Sequence, residues 1–137
     1  MPGPAAGRDA QFVDLLNAYR RSGGLARADD VCASIQQHGV PMTMLARWIA
    51  GRELLHFEWQ GENWLPMFQF DGIGRQPRPA VGQVLAELAD VMPAWQLAQW
   101  FAQPNSALAG LCPADALAKD APAVVQAART DRYLIDA

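Results

Sequence analysis

A chain of 137 residues has the size of one ordinary domain, or of two small units that share a core. Its hydrophobic content of 51% excludes an intrinsically disordered protein. Its formal charge of −3 is slightly acidic. Most proteins that bind duplex DNA without a partner have an excess of basic residues.

Cysteine usage and the N-terminal sequence add three expectations. Cys32 and Cys112 lie far apart and, like the isolated His38 and His56, fit no metal-binding spacing, so we expect reduced thiols and no metal or other cofactor. The N-terminus lacks the apolar core of a signal peptide, and no apolar run approaches the about 20 residues of a membrane span. These features favour a soluble, cytoplasmic protein with no membrane partner.

The front of the chain predicts three short helices. Residues 1–8 are mostly small and contain Pro and Gly, which predicts a flexible tail. Asp9 then caps a first helix that ends at residues 22–24, Ser-Gly-Gly. Apolar residues at helical spacing predict a second helix over about residues 26–37 and a short third helix that Gly51 ends.

After the third helix the hydrophobic period changes to two, which predicts a β-hairpin. Leu55, Phe57 and Trp59 alternate with polar residues, and a second strand follows the turn QGEN and continues to Phe70. Pro66 lacks an N–H and places this returning strand at an edge. Residues 9–70 therefore have the chain order of a winged helix-turn-helix unit.

The rest of the chain predicts a linker and a helical bundle. Residues 71–79 are rich in Gly and Pro and predict a linker. Residues 80–137 then contain a helix with one apolar stripe, a central helix from Pro93 that is apolar on several sides, and two helices that begin at Pro113 and Pro122. The fold class we predict is mainly α: a small winged helix-turn-helix-like unit with a β-hairpin, followed by a C-terminal helical bundle.

A corner between two helices of the bundle is the most distinctive stretch of the sequence. Pro104 ends the central helix, and Asn105 is suited to bond freed backbone groups. Leu108 folds back over the core, Gly110 permits an unusual backbone conformation, and Pro113 starts the next helix. By these residues alone the stretch is either a shaped corner of the fold or a surface for a partner.

Together these motifs resemble the toxin-binding domain of the Xre/MbcA/ParS antitoxin family. The likeness rests on the run from Trp100 to Asn105, then Leu108, Gly110 and the helix start at Pro113, and on a preceding P-x-FQF strand. It covers residues 64–130 well and residues 24–63 loosely.

The resemblance implies a type II antitoxin that covers the active-site entrance of a RES-type, NAD-degrading toxin. It also implies a front end that binds operator DNA and autoregulates the operon. Because few cationic residues are available to read DNA, we expect a homo-oligomer, which multiplies those contacts.

Two sets of residues are candidates for these contacts. For DNA we select Thr43, Arg47 and Arg52, with Arg20, Arg21 and Arg27 as phosphate contacts; the alternative is an ordinary solvated surface. The candidate partner-binding residues are Trp95, Trp100, Phe101, Pro104, Asn105, Leu108, Gly110, Pro113, Arg129, Arg132 and Tyr133. For the two tryptophans the alternative is a place in the core, and for the last three residues it is a frayed terminus.

An enzyme is not expected, because no serine has a histidine or acid at a recognisable spacing and the paired carboxylates read as a helix start. Two other functions remain open. One is an interaction or assembly module with neither toxin nor DNA as partner. The other is a small-molecule site in a cleft between the two halves.

Overall fold

The predicted fold class, mainly helical with a small β-hairpin, is confirmed by a computed structural model that describes residues 4–71 and 76–136. Within these ranges there are seven α-helices and one three-stranded antiparallel sheet. The elements are α1 Pro4–Tyr19, β1 Leu25–Arg27, α2 Ala28–Gln37, α3 Thr43–Ala50, β2 Phe57–Trp59, β3 Glu62–Pro66, α4 Pro79–Leu88, α5 Ala94–Ala102, α6 Pro113–Ala116 and α7 Ala121–Asp136.

The first helix begins earlier than predicted. It starts at Pro4, so the prediction of a loose tail is wrong for residues 4–8, and residues 1–3 lie outside the described part. Proline is tolerated in the first turn, and the alanines that follow favour a helix. Asp9 is consequently not a cap but accepts a hydrogen bond from Trp59 Nε1 at 2.9 Å. The helix end is as predicted, since a 3₁₀ turn over Arg20–Ser22 leads to Gly23 with φ 117°.

The hairpin is confirmed, but the position of its second strand in the sheet differs from the prediction. Gln60 and Gly61 both have positive φ, as a tight two-residue hairpin turn requires. β1, which the sequence pattern did not predict, pairs with β3, so the sheet order is β1-β3-β2. The edge position inferred from Pro66 is therefore wrong: β3 is central, and Pro66 is tolerated because it is the last residue of the strand. The strand does not reach Phe70, because a 3₁₀ turn over Met67–Gln69 replaces its end.

The front elements follow in the order α1-β1-α2-α3-β2-β3. The end of α3 is as predicted, since the helix stops at Gly51, which has φ −82°. The next residue, Arg52, occupies the left-handed region with φ 57°.

Two hydrophobic cores lie inside the molecule, and they do not divide the chain at residue 71. The smaller core joins α2, α3 and β3 through residues such as Ile35, Trp48 and Leu65. The larger core combines Phe12 and Tyr19 of α1 with residues of the hairpin and of α4 to α7. α1 therefore packs with the C-terminal helices, and the phenol of Tyr19 donates to the carbonyl of Ala98 in α5.

The described ends of the predicted linker are tied together. Phe70 pairs with Pro77, and the amide of Asp71 donates to the carbonyl of Gln76 at 3.0 Å. The guanidinium Nε of Arg78 donates to the carbonyl of Phe68 at 3.1 Å. Residues 72–75 lie outside the described part.

Candidate partner-binding site

The corner between α5 and α6 is built around Asn105. Gln103 leaves the helix in an extended conformation, as Pro104 requires of its predecessor. The side-chain oxygen of Asn105 accepts from the amide of Ala107 at 2.9 Å, and its carbonyl accepts from the amide of Gly110 at 3.0 Å. Asn105 thus caps the 3₁₀ turn Ser106–Leu108, and the backbone groups it satisfies are N–H groups of the segment after the helix.

The direction of the chain reverses at two consecutive left-handed residues. Ala109 has φ 57° and Gly110 has φ 84°, so the unusual conformation predicted for Gly110 is confirmed and begins one residue earlier. Leu108 is buried, which confirms that it folds back over the core. The chain re-enters a helix at Pro113, the first residue of α6.

Asp131 of α7 joins this corner to the helices on both sides. Its Oδ2 accepts from the indole Nε1 of Trp100 at 2.7 Å and lies 3.4 Å from Nδ2 of Asn105. Neither the indole nor the carboxylate is fully exposed, which favours a strong hydrogen bond to the charged oxygen. Asp131 was not among the predicted residues, because nothing local in the sequence connects it to a position 31 residues earlier.

The apolar stripe of α7 is longer than the bundle that covers it. Val124, Ala127 and Ala128 are buried, and the next residue at this helical spacing is the charged Asp131, at the edge of the bundle. Leu134 and Ile135 follow at the same helical spacing but are 67% and 47% exposed. Sequence reasoning missed both, although the i, i+3, i+4 spacing from Val124 onward contains the signal. We call Tyr133, Leu134 and Ile135 the terminal patch; Tyr133 is 77% exposed.

Two of the predicted tail residues are anchored to the protein itself. The tail is helical to Asp136, so within the described residues it is not frayed. The guanidinium of Arg132 donates to both carboxylate oxygens of Asp90, at 2.8 and 3.1 Å, and to the carbonyl of Glu87. These hydrogen bonds lower the pKa of Asp90 below its ordinary value. Arg129 forms a 3.2 Å salt bridge with Glu87. Both arginines therefore fix α7 to α4, and neither extends as part of a free tail.

The other predicted partner-binding residues divide into buried and exposed groups. Phe101, Leu108 and Pro113 are buried, so their selection as contact residues is wrong: the core covers them. Pro104 and Gly110 are exposed, and so is Leu111, a residue the prediction omitted.

Both tryptophans are held by intramolecular contacts. The indole Nε1 of Trp95 donates to the carbonyl of Glu58 at 2.8 Å, and its ring packs against Phe57 and under the guanidinium of Arg8. Trp100 packs against Phe101 in addition to its bond with Asp131. The core interpretation of these two residues is the one that fits their positions.

The structure brings together only part of the predicted DNA-binding set. Thr43 and Arg47 are exposed one turn apart on α3. Arg52 lies beyond the helix and lines a cleft with α4 and α5, where its charge contributes to the lowered pKa of Asp90.

The predicted phosphate contacts are also divided. Arg20 donates to Asn17 at 3.3 Å, and Arg21 is exposed. Arg27 forms salt bridges with Asp30 at 3.2 Å and Glu62 at 3.4 Å. Its charge is therefore balanced within the protein.

Other features of the described residues bear on the remaining classes of function. Residues 4–71 and 76–136 contain no group of three or more His, Cys, Asp or Glu placed to hold a metal ion. Cys32 and Cys112 are free thiols. None of the helices in that part of the chain is both long and apolar enough to cross a bilayer.

Comparisons with known proteins find no match. No protein-family model, no curated protein and no solved structure is significantly similar to this chain. A function is therefore proposed from the residues and their geometry.

Proposed function

We propose that the protein is an antitoxin-like binding protein that uses the terminal patch and the exposed side of the corner to occlude a RES-type toxin. The observation that carries the proposal is that Leu134 and Ile135 lie at the helical spacing of the buried apolar residues of α7 and yet are exposed beyond Asp131. Exposed apolar groups that extend a buried stripe are typical of a surface that a partner covers.

The geometry around the patch supports a steric mechanism. Asp131 and Arg132 fix the preceding turn of α7 to Trp100 and Asp90, so the last turn is presented on an ordered helix. Preorganisation lowers the entropy cost of association. Burial of the patch contributes roughly 25 cal/mol per Å² of apolar surface before association costs are subtracted. No bond-making group of this chain is needed, because occlusion of an active-site entrance is enough to inhibit.

The resemblance in the corner motif supports the identity of the partner. The Pro-Asn step, Leu108, Gly110 and the helix start at Pro113 adopt one closed geometry, and the terminal patch lies on the helix that Asp131 ties to that corner. The motif that resembles an antitoxin domain and the uncovered stripe thus occupy one region of the molecule.

Co-expression with the product of the neighbouring gene tests the proposal. We expect the neighbour to be toxic alone, and to be neutralised by and co-purify with the wild-type protein. Leu134→Glu places a charge in the patch and should abolish both effects without unfolding the protein. Val13→Glu is the matched control, because Val13 is an apolar residue that is 53% exposed on α1 and belongs to neither the corner nor the terminal patch. A neighbour that is harmless alone and does not co-purify would contradict the antitoxin proposal and favour the assembly-module alternative.

A second role, binding to operator DNA, is favoured by the exposed Thr43 and Arg47 on the third helix of a unit with winged helix-turn-helix order. The front unit offers little further positive charge, since its hairpin carries Glu58 and Glu62 and Arg27 is paired with Asp30 and Glu62. We therefore propose that a homo-oligomer, with two copies of this face, is the binding form. Its binding to the DNA upstream of its own gene should weaken with salt and with Arg47→Gln. Absence of binding at low salt, or a monomer in sedimentation, would contradict this role.

A further inference from the structure

A cleft of about 220 Å³ lies where the front unit meets the bundle. One side is the segment after α3, which contributes Arg52, Leu55 and His56. The opposite side consists of residues from α4, α5 and their connection, among them Leu85 and Leu97. The cleft does not include the corner or the terminal patch, so it is separate from the proposed partner surface.

The front wall of the cleft is held rigidly from behind. The side chain of Gln69, which is fully buried, accepts from the amide of Leu55 and donates to its carbonyl. The amide of Glu53 donates to the carbonyl of Trp48 at 2.8 Å. A Cβ on Gly82 would lie 3.7 Å from the carbonyl of Arg52, so α4 runs close against this segment. The cleft is therefore a preformed part of the fold, as binding sites usually are.

The chemistry of the walls is divided between an apolar floor and a polar rim. Leu55, Leu85 and Leu97 are at most 4% exposed and form an apolar base. Arg52 and His56 lie at the rim. The nearby carboxylate of Asp90 already receives two hydrogen bonds from Arg132, and among the described residues no carboxylate forms a salt bridge with Arg52.

The backbone of Arg52 also indicates a site. Its left-handed conformation is costly for a residue with a side chain, and such strain persists only where neighbouring contacts impose it. Here the amides of Gly51, Arg52 and Glu53 all donate to carbonyls at the end of α3, so the backbone from which the arginine side chain extends is held in place.

We propose that this cleft binds a small organic carboxylate, with its apolar body on Leu85 and Leu97 and its carboxylate paired with Arg52. A guanidinium is the side chain best matched to the two oxygens of a carboxylate. The volume is below the about 300 Å³ at which sites for drug-sized ligands begin, so the ligand is small. Benzoate and hexanoate have the required combination of charge and apolar body.

A titration followed by amide chemical shifts in the full chain tests the site. We expect benzoate or hexanoate to give saturable shifts confined to residues 52–56 and 92–97. Benzyl alcohol, which lacks the charge, and acetate, which lacks the body, should each bind at least roughly tenfold more weakly. Arg52→Gln should weaken benzoate binding by a similar factor while the spectrum stays that of the folded protein. Lys119→Gln is the control, because Lys119 is an exposed cationic residue outside the cleft.

A second variant tests whether binding requires the space of the cleft, independently of the charge of Arg52. Ala94→Trp, on the α5 side of the cleft, fills it with an indole and should abolish the shifts even with Arg52 intact. Benzoate binding that is equal in wild type and Arg52→Gln, shifts that map outside the cleft, or the absence of saturation in the millimolar range would each overturn the proposal.

Discussion

The indole of Trp100 and the carboxylate of Asp131 form a 2.7 Å hydrogen bond that joins α5 to α7. The same carboxylate oxygen lies 3.4 Å from the side-chain amide of Asn105, so one acidic residue connects two helices and the corner between them. The contact sits where the covered stripe of α7 gives way to the exposed one. It therefore determines how the terminal patch is presented.

Removal of this carboxylate should loosen α7. Asp131→Ala leaves the Trp100 N–H without its acceptor, and we expect the free energy of unfolding to fall by about 1–3 kcal/mol. Denaturant unfolding followed by tryptophan fluorescence measures the change. Asp14→Ala, at an exposed position on α1, is the control and should have little effect. An equal loss in both variants would show that the contact with Trp100 does not stabilise the fold.

Substitutions at the two left-handed residues of the corner should differ in their effect on stability, since only the one at Gly110 should be destabilising. Gly110→Ala places a Cβ at φ 84° and should cost about 1 kcal/mol, whereas Ala109→Gly relieves a Cβ at φ 57° and should be neutral or stabilising. A Cβ added at Gly110 would meet nothing within 4 Å beyond its own chain neighbours, so the cost is conformational and not steric. Thermal unfolding of the two variants measures both signs, and a stabilising Gly110→Ala would refute the argument.

Gln69 should stabilise the fold more than an apolar residue of similar size would. Gln69→Leu leaves the amide and carbonyl of Leu55 and the carbonyl of Pro66 without their buried partner. We expect a loss of about 2–5 kcal/mol despite the gain in hydrophobicity. Gln37→Leu, at an exposed site on α2, is the matched control. The comparison uses urea unfolding, and a stability equal to that of wild type would mean that Leu55 finds other partners.

The buried phenol of Tyr19 predicts a pH dependence of stability. Burial raises its pKa well above 10.0, so above that pH the unfolded chain ionises while the folded chain stays neutral. The stability from this group is complete below pH 10.0 and falls as pH rises toward the folded-state pKa. Tyr19→Phe loses the hydrogen bond to Ala98, costing about 1 kcal/mol at neutral pH. Its deficit relative to wild type should shrink above pH 10.0.

Urea unfolding at a series of alkaline pH values measures this difference. Tyr133→Phe is the control, since Tyr133 is 77% exposed. That variant should follow wild type at every pH. A constant deficit for Tyr19→Phe across the series would contradict a buried, neutral phenol.

Local patterns in the sequence were sufficient for the regular elements. The stripe of Val81, Val84, Leu85 and Leu88 is buried on α4, because apolar residues at helical spacing must find a core. The hairpin formed where the period changed to two and a Gln-Gly pair was available for the turn. The corner followed from Pro104, Asn105 and Gly110, whose preferences act over a few residues.

Features that depend on distant partners were not predictable. β1 is three residues long and exists because β3 offers it a hydrogen-bonding edge. Asp131 resembles any surface acid until the fold brings Trp100 beside it. Arg129 and Arg132 looked like a basic tail because Glu87 and Asp90, their partners, lie more than 40 positions earlier. In each case the deciding interaction joins residues that no short window contains together.

The placement of α1 has a consequence for dissecting the molecule. Phe12, Leu15 and Tyr19 complete a core whose other walls come largely from the far end of the chain. A fragment beginning at residue 80 would expose the surface that these three side chains cover, and we expect it to aggregate or remain only partly folded. Any chimera that transfers the C-terminal helices to another scaffold must carry the first helix as well, supplied in the same chain or as a separate peptide.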